Sequence, residues 1–128
     1  MVKEALVREV IEATEKLLKE LDERQFDVKV AVWLYYPEEN QWNLLLAIPL
    51  YDRLGPKKTY AEIQSVLNSS PDIRKQIRLT DISVTSPGDS FVELLRAGTR
   101  KVKEPHMWSL SGTAREASMA EGIFVHRI

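Results

Sequence analysis

The stretch Phe26-Asp27-Val28-Lys29-Val30-Ala31-Val32-Trp33-Leu34-Tyr35-Tyr36, the polar run Pro37 to Gln41, and then Trp42-Asn43-Leu44-Leu45-Leu46-Ala47-Ile48 decide the fold. In the first segment Phe26, Val28, Val30, Val32, Leu34 and Tyr36 recur with period two, which predicts a strand. Trp42, Leu44, Leu46 and Ile48 repeat the pattern, and the turn-forming residues between the segments predict a hairpin. Its second face begins polar at Asp27 and Lys29 and becomes apolar at Trp33, Tyr35, Leu45 and Ala47. A sheet covered on one side alternates apolar with polar throughout, so this second patch needs a cover.

Before the hairpin, Leu6, Val10, Leu17 and Leu21, flanked by Val7, Ala13, Thr14 and Leu18, recur at three- and four-residue steps. That spacing predicts an amphipathic helix from Lys3 to Arg24. Beyond the hairpin, Asp52 to Lys58 contains Gly55-Pro56 and reads as a loop, and Thr59-x-x-Glu62 fits a capping box that opens a helix running to about Asn68. Ser70-Pro71 offers a fresh N-cap for a short helix near Asp72 to Ile77. Leu79 to Thr85 reads as a strand, and Ser90-x-x-Glu93 as another capping box, opening a helix that Gly98 ends. His106 to Ser111 and Gly122 to Ile128 read as strands, with Thr113 to Glu121 ambiguous. The expected architecture is a single two-layer α+β domain with an antiparallel or mixed sheet of about five strands, the amino-terminal helix and two or three shorter helices.

The 128 residues carry a formal net charge of −1 and no cysteine. Disulfides, thiolate metal sites and thiol nucleophiles are thereby excluded, and a cytoplasmic, reducing location is expected. The longest apolar runs, Val30 to Tyr36 and Leu44 to Ile48, are far short of the ~20 residues that span a bilayer, so no membrane partner is expected. Charge is uneven along the chain: residues 1–27 sum to −3, while residues 53–103 sum to +5. If Lys57, Lys58, Arg74, Lys75, Arg78, Arg96, Arg100, Lys101 and Lys103 converge, they form a phosphate-tracking face for nucleic acid.

Catalytic signals are sparse. The five glycines have neither dinucleotide nor P-loop spacing, and no Gly-x-Ser-x-Gly elbow accompanies Ser109 and Ser111 near His106. His106 and His126 lie on different predicted strands, with no spacing that forces them together at a metal. Asp27-x-Lys29 matches part of a metal-dependent nuclease pattern, but nine lysines and nineteen acids give roughly one such pair by chance. No metal or cofactor is expected. The favoured reading is a protein association module, a homodimer through Trp33, Tyr35, Leu45 and Ala47. The alternative is a nucleic-acid-associated protein using the basic segment, with metal-dependent cleavage as its extension. A small ligand pocket at Trp42, with Tyr36 and Tyr51, is a further expectation.

Overall fold

The computed structural model describes residues 7–99, 106–108 and 123–128. Helix α1 (Arg8–Glu23) buries Ala13, Thr14, Leu17, Leu18 and Leu21 along one stripe, as the spacing predicts. It stops where Gln25 takes a left-handed conformation (φ 64°), with the Phe26 amide closing back onto the Leu21 carbonyl at 3.0 Å. Asp27 is also left-handed (φ 60°), so the extended run does not begin at Phe26. Strand β1 spans Val30–Tyr36, and the break moves Phe26 and Val28 into the same core as Ala31 and Trp33.

Strand β2 (Gln41–Ala47) pairs antiparallel with β1 around a four-residue turn, Pro37 to Asn40, in which Asn40 supplies the positive φ. Helix α2 (Pro49–Asn68) begins ten residues earlier than the capping box at Thr59 implies. It bends sharply at Gly55 (φ 82°, ψ 171°), and Pro56 restarts the helix with the fixed φ that suits a first turn. Thr59 therefore sits inside the helix, its hydroxyl donating to the Gly55 carbonyl at 2.7 Å. Helix α3 (Pro71–Gln76) follows Ser70 as expected, and a 3₁₀ turn at Leu79–Asp81 shortens the next strand, β3, to Ile82–Thr85. Helix α4 (Ser90–Thr99) is capped by Asp89, whose carboxylate accepts the Phe91 amide at 3.0 Å, rather than by Ser90. Strands β4 (His106–Trp108) and β5 (Ile123–Arg127) complete the sheet. The expected continuation of β4 to Ser111 and the ambiguous segment Thr113 to Glu121 lie outside the described residues.

The sheet is mixed, in the order β3-β2-β1-β5-β4. All neighbours are antiparallel except β2 and β3, whose parallel pairing needs the long crossover that α2 and α3 provide. The α+β class holds, but the layers differ from expectation. Helices α1, α2 and α3 cover one face, packing Leu17, Leu21, Ile63 and Leu67 against Trp33, Leu44 and Leu46. Val92 and Leu95 of α4 cover the other, against Val30, Val32, Leu45 and Ala47. Three layers replace two, because both faces of the hairpin are apolar and each acquires a helix from the same chain. Among the described residues no helix is long and apolar enough to cross a membrane.

Candidate functional site

Hairpin register determines which aromatic side chains meet. The four-residue turn pairs Tyr36 with Gln41, Tyr35 with Trp42, Trp33 with Leu44 and Val32 with Leu45. Directly paired residues share a face, so Trp33 and Tyr35 belong to the α1 side, whereas Leu45 and Ala47 belong to the α4 side. The four residues grouped from the sequence as one association patch are thus divided between two faces. All four are buried within the chain: Trp33 and Tyr35 at 2% exposure, Leu45 at 8% and Ala47 at 0%. The cover that the second apolar patch requires is intramolecular.

The same register brings a different set together at the turn end of the hairpin. Tyr35 and Trp42 stack at a tilt, with ring centroids 5.4 Å apart, and the Tyr35 hydroxyl donates to the Asn40 side-chain carbonyl. Beside them lies an open cleft of 420 Å³. Val7, Val10, Trp33 and Trp42 supply its apolar ground, while Glu39 from the turn and Arg78 from the segment after α3 bring opposite charges to its walls. The Arg78 guanidinium is largely exposed and 3.7 Å from Asp81, which also lines the cleft and accepts the Arg78 backbone amide at 3.0 Å. Of the aromatic residues expected around Trp42, Tyr51 does not line this cleft, and Tyr36 points to the opposite face. There Tyr36 joins Glu39, Asn43, Thr80 and Ser83 around a polar recess. Burial and the nearby Glu39 carboxylate push its phenol above the ordinary value of 10.0.

Val7, Gln76, Arg78 and Asp81 were not legible as cleft residues, since no local pattern links the start of α1 to the end of α3. Their proximity follows from the packing of these two helices against each other.

The expected basic residues within the described part of the chain do not all lie on one side of the sheet. Lys57 and Lys58 are exposed on α2, whereas Arg96 lies on α4 across the sheet. On α3, Lys75 shares a surface recess with Glu9, Glu12 and Asp72, and Arg74 donates to Asn68 at 3.3 Å. Arg100, Lys101 and Lys103 lie outside the described residues. Asp27 and Lys29, the nuclease-like pair, form an exposed ion pair with each other at 3.0 Å. No group of three or more His, Asp or Glu side chains suited to a metal ion occurs among the described residues.

His106 and His126 fall on neighbouring strands, with His106 paired to Val125 in register. The His126 ring is buried, and its Nδ1 lies 2.5 Å from Glu15 Oε2 of α1. Burial holds the imidazole below its ordinary 6.5, although Glu15 acts in the opposite direction. On the next residue, Arg127 makes a two-pronged contact with Asp22, at 2.9 and 3.0 Å. No protein-family model, curated protein or solved structure matches the chain.

Proposed function

We propose that this chain is a self-association module that dimerises through the cleft at the turn end of the hairpin. The observation carrying this reading is an apolar ground at Val7, Val10 and Trp42 flanked by walls of opposite charge, Glu39 and Arg78. A two-fold contact places one patch against its own copy, so a patch bearing both signs can complement itself. Arg78 of one protomer then meets Glu39 of the other, while Trp42 and Val7 supply the water-excluding centre. Half-exposed Val7 gains most from such cover. The net charge of −1 opposes the approach of two copies very little. A contact of this modest extent belongs to the weak, concentration-dependent class of interfaces.

Sedimentation velocity of the full chain over a wide concentration range tests the reading. Dimer is expected to accumulate with concentration. Glu39→Arg or Arg78→Glu alone should weaken it by placing like charges opposite one another, and the double reversal should restore it. A monomer at every concentration overturns the proposal, as does a double reversal no better than the single variants.

A further inference from the structure

β5 runs inside the sheet, between β1 and β4. Its pairing with β1 is interrupted by an irregularity at Ala31/Val32, opposite the segment that contains His126. The strand is tied to α1 by side chains. His126 Nδ1 meets Glu15 Oε2 at 2.5 Å, and the ring rests on Phe124 with centroids 4.8 Å apart. The His126 side chain is completely buried, and Nε2 has no hydrogen-bond partner among the described residues.

Burial and the lack of an acceptor at Nε2 among the described residues favour the neutral ring. Nδ1 carries the hydrogen and donates to the carboxylate, leaving a bare lone pair on Nε2. A second proton on Nε2 creates a buried N–H with no acceptor, together with a buried positive charge. Glu15 is the acidic group facing the ring from α1, but it is half-exposed and its attraction is weakened by water. Asp22, the other α1 carboxylate on this side, is occupied by Arg127, whose own charge opposes a second cation beside it. The nearby β1 residues Ala31 and Trp33 carry no ionisable group, and His106 of β4 is in register with Val125.

We infer that His126 and Glu15 form an acid-released latch holding β5 against α1. When β5 opens, the ring becomes hydrated and accepts its proton at the ordinary value, so acid favours the open form. The sign follows from linkage: the closed form has the lowered pKa, so the latch is fully effective above about 6.5 and weakens as pH falls toward the closed-state value. Within that window the opening equilibrium grows by up to about tenfold per pH unit. Opening removes the strand next to β1 and leaves the edge of Val30–Tyr36 unpaired. His126 and Glu15 are not among the residues lining the dimerisation cleft.

The test is residue-resolved amide exchange on the full chain between about pH 7.5 and pH 5, corrected for intrinsic rates, alongside NMR titration of the His126 ring. Protection at residues 123–127 should fall with acid while α2 stays protected. The ring should titrate below 6.5. His126→Phe keeps an aromatic ring against Phe124 and should remove the pH response. Glu15→Gln keeps an acceptor for Nδ1 but removes the charge, and should extend the response to lower pH. Equal pH dependence of β5 and α2, or an unchanged response in a folded His126→Phe protein, overturns the latch. If that variant does not fold, the native ring decides: titration at or above 6.5 overturns it equally.

Discussion

The Trp33 indole donates its Nε1–H to Thr14 Oγ1 at 3.0 Å, joining the centre of the hairpin to the buried stripe of α1. Thr14 is itself fully buried, and its hydroxyl donates onward to the Val10 carbonyl at 2.7 Å. One hydroxyl thus allows a tryptophan to be buried beneath a helix without stranding its polar edge.

Thr14→Val preserves the shape of the side chain and removes the acceptor. The indole N–H is then buried without a partner, and the expected loss is about 1–3 kcal/mol of folding stability, read from urea denaturation. Thr14→Ser keeps both hydrogen bonds and should lose less. A Thr14→Val protein as stable as the parent would show that the indole finds another acceptor.

Tyr60 protects the outer edge of the sheet. Its hydroxyl accepts the Val84 amide of β3 at 2.9 Å, occupying a donor that would otherwise face outward from an edge strand. Tyr60→Phe should cost about 1 kcal/mol. Amide exchange should accelerate at Val84 and stay slow along β1.

Gly55 takes a backbone conformation (φ 82°, ψ 171°) that is essentially reserved for glycine. Among the described residues nothing beyond the chain neighbours lies within 4 Å of where a Cβ would stand, so the penalty in Gly55→Ala is conformational rather than steric. The expected cost is about 1–3 kcal/mol. Gly88→Ala is the control: among the described residues its Cβ would meet Ser86 Oγ, at an ordinary 3.8 Å, and its effect should stay within about 0.5 kcal/mol. Chemical denaturation of the two variants measures the contrast.

The Asp22–Arg127 contact predicts a separate pH dependence at the acidic end. The hydrogen bond from Arg127 is the main cause holding the Asp22 carboxyl below 3.8, and burial acts against it. A carboxylate with a lowered folded pKa stabilises the fold above its unfolded value and loses that contribution as pH falls through the folded value. Both side chains are partly exposed, which limits the pair to about 1 kcal/mol or less. Arg127→Met should flatten the stability profile below about pH 4. A double-mutant cycle with Asp22→Asn isolates the coupling from the additional bond that Arg127 makes to the Val28 carbonyl at 3.0 Å.

Local regularities were legible wherever one stretch of chain both forms an element and carries its signal. The three- and four-residue spacing from Val10 to Leu21 marked α1, the alternation from Val30 marked β1, and Ser70-Pro71 marked the start of α3. The limits of this reading are equally physical. Alternation assigns the two sides of each strand but not which sides coincide across a hairpin; the four-residue turn decided that, separating Trp33 from Leu45. Composition showed that the second face needed a cover but not its source, which the docking of Val92 and Leu95 supplied. The meeting of Glu15 and His126, 111 residues apart, depends on β5 entering beside β1. Sequence by itself determined α1, β1 and the start of α3, because helix and strand periods and caps are properties of neighbouring residues. Tertiary structure alone decided the cleft and the Glu15–His126 pair, since each is assembled from segments whose proximity arises only when the sheet order and both helical layers are in place.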